Sequence, residues 1–323
     1  MSKKYTTIIT GNIPLSWASK LEEISDLVIW SERAPFLMPR EQLLRMLPSS
    51  DAIVNFGELK VDEELLRFAP QLKAVANVSI GFDNLALDAL SQRGIWASNS
   101  PGFFSYPVAE YIIAGMLMLA RNLGSADRFV RKGEWQGFEP GRWDGRSLRE
   151  MTLGIIGLGA IGSELAALAR SFGMEVRYYS HSNKNEAGHT ELDRLLGLSD
   201  FVSIHVPLNG STRKMVDQGF IDRMKDGSII INTSRGGIME QDAVMRSLQS
   251  GKLGGAILDV FENEPEVPTY LRSLENVVLT PHMAGGTRVS RRACVENALL
   301  NVHDVLTGKR PRNAINEKIA AAK

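Results

Sequence analysis

Residues Thr152 to Ser180 read TLGIIGLGAIGSELAALARSFGMEVRYYS. The first five, 152–156, form an apolar, largely β-branched run that stops at Gly157. Glycines then fall at 157, 159 and 162. From 160 to 172, Ile161, Leu165, Leu168, Ala169 and Phe172 recur at helical spacing. Gly173 stops that helix, and residues 175–179 read as a second strand. A GxGxxG between a buried strand and an amphipathic helix predicts a dinucleotide site, because each glycine then has a task. Gly157 permits the tight turn, Gly159 lets the backbone approach a pyrophosphate, and Gly162 lets the helix pack on the strand. The helix N-terminus adds free N–H groups and the positive end of its dipole.

Around this unit the chain is long, 323 residues, enough for two domains with a core each. Lys+Arg and Asp+Glu balance at 37 each, which leaves no net field to draw nucleic acid or an anionic membrane. The one cysteine, Cys294, excludes an internal disulfide framework and suits a reducing compartment. The opening MSKKYTTIIT lacks the apolar core of a signal peptide. The most apolar run, residues 111–120, is about half as long as a membrane span. The expectation is a soluble, cytoplasmic protein with neither nucleic acid nor membrane as partner.

Upstream, residues 5–10, 27–29, 52–55, 72–76 and 94–98 read as strands, with helical patterns at 15–24, 39–47 and 62–68. That alternation predicts a parallel sheet covered by helices. The segment Asn77-Val78-Ser79-Ile80-Gly81-Phe82-Asp83 follows a strand and should expose backbone N–H groups at its carboxyl end, where open α/β sheets bind ligands. By itself the loop reads as readily as a structural turn. Asn99-Ser100-Pro101-Gly102 is a turn cluster at which the chain should cross between domains. Residues 107–121 form a helix apolar on nearly every face, so a domain or subunit interface should cover it. Residues 125–150 are polar, carry Trp135 and Trp143 among glycines, and read as an extended arm with a partner surface.

Downstream, strands at 201–204, 228–231, 255–258 and 277–279 end in His205-Val206-Pro207, Asn232 to Gly237, Asp259 and Thr280-Pro281-His282. Polar residues at the same end of successive strands point to one cleft. A helix over 288–306 should return to the first domain. No His/Cys/Asp/Glu cluster has metal-ligand spacing, so no metal is expected.

These residues carry a family. Over nearly its whole length the chain resembles the D-isomer-specific 2-hydroxyacid dehydrogenases, through NVSIGFDNLALDALSQRGI, PVAEYIIAGMLMLAR, TLGIIGLGAIG, HVPLNGSTRKMV, INTSRGGIMEQDAV, GGAILDVFENEP and TPHMAGGT. The resemblance implies two doubly wound, Rossmann-like α/β domains with the active cleft between them. A cofactor domain, residues 99–287, would be inserted into a substrate domain of residues 1–98 and 288–323. It also implies a homodimer formed through the helix at 108–121 and the arm after it.

The family's catalytic residues match Arg235 in Asn-x-x-Arg-Gly, Glu264 directly before Pro265, and His282 after Pro281. Glu262 shares the loop of Glu264 but not its place before the proline. The chemistry asks for these types. A guanidinium binds carboxylate and carbonyl oxygens with bidentate geometry. An imidazole supplies the proton as hydride arrives, and a carboxylate beside it raises its pKa and orients it. Cofactor contacts are implied at Gly157, Gly159, Ala160, Ile161, Gly162, Ser180, His181, Ser182, Lys184, Val206, Pro207, Thr212, Thr233, Ser234, Arg235, Asp259, His282 and Gly285. Substrate contacts are implied at Ser79, Ile80 and Gly81, with Arg235 and His282. Asp259 reads equally as a cofactor contact and as a structural residue, and His205 as packing beside the cofactor.

Two departures from the family pattern matter. Members that use NAD carry an acidic residue at the end of the second strand, where this chain has Ser180-His181-Ser182-Asn183-Lys184. NADPH is therefore expected over NADH, with NAD possible. Met283 follows the histidine where smaller or branched aliphatic residues are usual. The expected activity is reduction of glyoxylate, hydroxypyruvate or 2-ketogluconate to the D-2-hydroxy acid. One rival is a dehydrogenase of phosphite or formate, although formate enzymes place glutamine where Glu264 stands. The other is a dinucleotide-sensing binding protein, like the corepressors of this fold, which usually carry long tails.

Overall fold

The computed structural model describes residues 4–32, 35–57, 59–180 and 187–317. The chain divides into two compact units, Met1–Phe103 with Thr287–Lys323, and Phe104–Gly286.

The first unit is built on five parallel strands: β1 (Tyr5–Ile9), β2 (Ser25–Ile29), β3 (Ala52–Asn55), β4 (Ala74–Asn77) and β5 (Trp96–Ser98). Their order is β2-β1-β3-β4-β5. Every residue of β3 and β4 is buried, which is why AIVN and AVAN read as apolar runs, each closed by one buried asparagine, and not as alternation. Helices α1 (Ser19–Glu22), α2 (Arg40–Met46), α3 (Glu63–Arg67) and α4 (Leu87–Gln92) connect the strands. The helix expected over 15–24 is a 3₁₀ turn, Leu15–Trp17, followed by α1. Of α1 only Leu21 is buried, so a longer helix would have no apolar face to cover. Ile8, Leu43, Ile53, Leu65, Val75 and Leu90 form the centre of this core.

The second unit begins with α5 (Ser105–Ala120) and α6 (Leu123–Arg131). Six parallel strands follow: β6 (Thr152–Ile156), β7 (Glu175–Tyr179), β8 (Phe201–Ile204), β9 (Ser228–Asn232), β10 (Leu253–Leu258) and β11 (Val277–Leu279). Helices α7 (Ala160–Ser171), α8 (Leu192–Leu198), α9 (Gln218–Asp222), α10 (Gln241–Ser250) and α11 (Thr269–Ser273) join them. The order is β11-β10-β9-β8-β6-β7. In both units the chain steps outward once and then passes back across its first strand. The switch falls between β1 and β3 in one unit and between β6 and β8 in the other, and carboxyl ends at such a point form the binding crevice of open α/β sheets.

Helix α5 buries Val108, Ala109, Ile112, Ile113 and Met116, and it packs on α7, β10 and β11 of its own unit. Its other face stays part-open, with Tyr106 48 % exposed and Leu117, Met118 and Leu119 half-buried. One expectation is corrected here: the arm is helical at its start. Asp127 and Arg131 lie one turn apart and pair at 2.8 Å on α6. Phe129 turns inward, 5.3 Å from the ring of Trp143, with the Arg142 guanidinium 4.1 Å from its centre. Trp143 is thus half-buried, while Trp135 and Phe138 stay 63 % and 90 % exposed.

The chain then returns to the first unit through α12 (Arg288–Leu306). Its capping box has Thr287 Oγ1 accepting from the Ser290 N–H and Ser290 Oγ from the Thr287 N–H, both at 3.1 Å. Such a cap contributes about 1 kcal/mol. The helix packs along β3, β4, β5 and α1, burying Cys294, Val295, Ala298, Leu299 and Val302. Among the described residues no helix is long and apolar enough to cross a membrane, and no three His, Cys, Asp or Glu side chains are grouped to hold a metal.

Candidate active site

Strand β6 runs into Gly157 at φ +96°, a left-handed value that glycine adopts without strain. A Cβ there would lie 2.5 Å from the carbonyl oxygen of His205, at the end of β8. The turn is pinned on both sides: Gly157 N–H donates to Tyr179 O at 2.8 Å, and His205 N–H to Ile156 O at 2.7 Å. Gly159 caps α7, and a Cβ on it would meet nothing within 4 Å. Gly162 backs directly onto the Gly157 carbonyl. Among the described residues the N–H groups of Gly159, Ala160, Ile161 and Gly162 meet no acceptor. A 12-residue helix thus presents a bare first turn beneath open space.

The ends of β8 and β9 add two buried polar atoms without a protein partner, His205 Nδ1 and Thr233 Oγ1. Orphans of this kind are uncommon in folded proteins, and at the mouth of a glycine turn they are free to serve a ligand. His205 Nε2 lies 2.8 Å from Ser203 Oγ, and burial pushes the imidazole pKa down to about 4, so the ring stays neutral at neutral pH. Bare amides for phosphates, an open cradle and uncharged acceptors and donors beside it fit a dinucleotide. Ser180 is half-buried just beyond β7. The expected ribose-end contacts His181, Ser182 and Lys184 lie outside the described residues. Val206 and Pro207 follow His205, and Thr212 closes their turn by donating to Pro207 O at 2.6 Å.

The end of β9 shapes the arginine turn. Asn232 accepts from Ser234 N–H at 3.0 Å and donates to Arg235 O at 2.9 Å. Ser234 Oγ donates to Ile204 O at 2.7 Å. Gly236 comes next, and a Cβ there would overlap the Phe261 carbonyl, so the Arg235 turn packs directly on the loop after β10. That loop holds Glu264. Its Oε1 accepts from Phe261 N–H at 2.9 Å, and its Oε2 lies 2.9 Å from His282 Nδ1. Glu262 instead faces Lys214 at 3.5 Å. An ionised carboxylate only accepts, so Nδ1 carries a proton and Nε2 is left for chemistry.

His282 itself sits at φ +51°, held by its N–H donating to Asp259 O at 2.9 Å. The Asp259 side chain fixes the rest of the turn. Oδ1 accepts from Thr280 Oγ1 at 2.5 Å and Met283 N–H at 2.8 Å, and Oδ2 accepts from Ala284 N–H at 2.8 Å. Tyr111, on α5, completes the chain at 2.6 Å from Thr280 Oγ1, and burial raises its phenol pKa to about 12. Asp259 therefore anchors the histidine loop. Thr280 was marked only by its place at a strand end, and Tyr111 had no sequence signal, since it reads as one more residue of an apolar helix. Gly285 packs against Phe104, whose ring atoms would lie 2.9 Å from a Cβ.

In the first unit, Ser79, Ile80 and Gly81 are half-buried beyond β4. Their N–H groups also meet no acceptor among the described residues. Within the second unit, Glu264 and His282 are brought into contact and the Arg235 turn is seated against the same loop.

Residues 113–284 match the model of the D-isomer specific 2-hydroxyacid dehydrogenase, NAD binding domain. The chain is 37% identical to a glyoxylate reductase of Thermococcus litoralis over 98% of both chains. Among solved structures, a glyoxylate reductase from Paecilomyes thermophila superposes with a TM-score of 0.86 at 28% identity, covering 98% of this chain and 99% of that one. An NADPH-dependent glyoxylate/hydroxypyruvate reductase from Sinorhizobium meliloti, in complex with NADP and malonate, gives 0.83 at 27% identity, with 97% of each chain covered.

Proposed function

The chain belongs to the D-isomer specific 2-hydroxyacid dehydrogenase family, and from that premise we propose that it reduces a small 2-oxo acid to the D-2-hydroxy acid with NADPH. Glyoxylate, hydroxypyruvate and 2-ketogluconate are the candidate substrates. The observation that carries this reading is the 2.9 Å pair of His282 Nδ1 and Glu264 Oε2, on a loop packed against the Arg235 turn. When bound, the reduced dinucleotide supplies the hydride. The N–H groups of Gly159, Ala160 and Ile161 would hold its pyrophosphate, with Thr233 and His205 offering their unpartnered atoms.

Arg235 binds the substrate's carboxylate and carbonyl oxygens and draws charge toward the latter. Negative charge grows on the carbonyl oxygen as its carbon is reduced, and His282 Nε2 delivers a proton there. Glu264 stabilises the imidazolium before that transfer and fixes the ring's orientation. Asp259, Thr280 and Tyr111 keep the histidine turn in place. The amides of Ser79, Ile80 and Gly81 take the substrate carboxylate.

NADPH is preferred over NADH because residues 180–184 hold no carboxylate to repel a 2′-phosphate. Trp135 and Phe138 support a homodimer formed through the segment after α6, where a second copy would cover them. A single, buried cysteine supports a place in the cytoplasm. The test is kcat/KM with NADPH across glyoxylate, hydroxypyruvate, pyruvate, 2-ketogluconate and a bulky aromatic oxo acid. Turnover of the small acids is expected. No turnover of any of them would favour a dinucleotide sensor.

A further inference from the structure

The loop after β4 differs from an ordinary turn in where its carbonyls go. Ser79 O accepts from Ser100 N–H at 2.8 Å. Ile80 O accepts from Asn99 Nδ2 at 2.7 Å. Gly81 O accepts from Asn77 Nδ2 at 3.2 Å and from Ser79 Oγ at 2.8 Å. Every one of these three carbonyls is therefore occupied. A peptide unit is planar and trans, so its N–H points opposite its C=O. Tying down Ser79 O, Ile80 O and Gly81 O thereby fixes the N–H groups of Ile80, Gly81 and Phe82, none of which meets an acceptor among the described residues. The result is a row of donors whose directions those three caps set, and backbone N–H groups so fixed can serve an anion.

The side chain that sets the middle peptide, Asn99, is itself buried and clamped. Its N–H donates to Asn313 O at 3.3 Å, and its carbonyl accepts from Asn297 Nδ2 at 3.4 Å. Asn297, on α12, also donates to Ser100 Oγ at 3.1 Å. Asn313 is in turn held by Asn301, through Asn301 Nδ2 to Asn313 Oδ1 at 3.2 Å and Asn313 N–H to Asn301 Oδ1 at 3.0 Å. The returning segment of the chain thus braces the residues that cap the loop.

We infer that Asn99 is a positioning residue for substrate binding: by capping Ile80 O it holds the Gly81 N–H ready for the carboxylate of the oxo acid. This rests on the reading of residues 79–81 as the carboxylate site. Asn99 touches neither substrate nor cofactor in this role. An aspartate in its place keeps the shape, removes the donor, and sets a negative charge beside a receptor for anions.

The experiment compares wild type, Asn99→Asp, Asn99→Ala and Ser79→Ala. The readouts are KM and kcat for glyoxylate, Ki of the unreactive dianion oxalate, the NADPH Kd by fluorescence titration, and Tm. Asn99→Asp should raise glyoxylate KM and oxalate Ki by at least about tenfold, the scale of a lost charge-assisted hydrogen bond. Its kcat at saturation and its NADPH Kd should stay near wild type. Asn99→Ala should show the same split, several-fold. Ser79→Ala, which leaves the backbone donors and one cap on Gly81 O, should show the smallest, and it serves if the Asn99 variants do not fold. Folded variants with unchanged KM and Ki would overturn the inference, as would an equal loss in NADPH Kd. Wild type that neither turns over glyoxylate nor binds oxalate would instead overturn the reading of the carboxylate site.

Discussion

The turn at Gly157 and the loop at Ser79 offer the same chemistry, bare N–H groups at the carboxyl end of a parallel strand, and reach it by opposite means. At Gly157 the backbone does the work: a left-handed φ of +96° and close packing on His205 O turn the chain into the bare end of α7. At Ser79 the side chains do it. Asn77, Ser79 and Asn99 hold two of the three carbonyls, the Ser100 N–H holds the third, and the amides follow from peptide planarity. A receptor made of glycines is compact and local. One made of caps depends on residues about twenty positions away and on the helix that returns behind them.

That contrast can be sharpened by removing what belongs to neither receptor. His282→Ala should cost at least about 10²-fold in kcat, the range for a general acid. The NADPH Kd and the oxalate Ki should change far less than kcat, because both sets of amides remain. Gly157→Ala should do the reverse. Its Cβ would press on His205 O, and holding a non-glycine residue at that φ costs on the order of 1–3 kcal/mol. The NADPH Kd should rise by roughly tenfold or more and Tm should fall, with oxalate binding spared. If the oxalate Ki rose equally, the two receptors would not be separable.

Glu264→Gln touches the proton donor alone. Reduction requires a protonated His282, and the neighbouring carboxylate favours that form. Its loss removes that support and the partner that orients the ring, so kcat for reduction should fall, and fall further as pH rises, with the NADPH Kd unchanged. The smallest effect is expected from Ser180→Asp, a several-fold shift of kcat/KM toward NADH with the oxo-acid KM unchanged. A wild-type preference for NADH of about tenfold would contradict the carboxylate-repulsion argument behind that variant.

The same contrast explains what could be read in the sequence. Strands β6 and β8 announce themselves because a parallel strand buried on both faces must be apolar throughout. Gly157, Gly159 and Gly162 are legible because their spacing is the mechanism. Arg235, Glu264 and His282 came through motif resemblance, since nothing in their separation along the chain predicts that Glu264 and His282 meet at 2.9 Å. The chain from Tyr111 through Thr280 to Asp259 was hidden, for Tyr111 and Thr280 are 169 residues apart. Helix α6 was missed because its Asp127–Arg131 pair lies in a segment that reads as polar arm, with only Phe129 to mark its inner face. Asn99 looked like a turn residue. Its carbonyl cap appears only once β4 and β5 lie side by side.

The most direct test of the proposed chemistry follows one atom. Hydroxypyruvate is reduced with NADPH carrying deuterium at both C4 positions, and the glycerate formed is analysed for label and configuration. Direct hydride transfer within a D-isomer specific site predicts deuterium at C2 of D-glycerate. L-glycerate, or D-glycerate without label at C2, would contradict it.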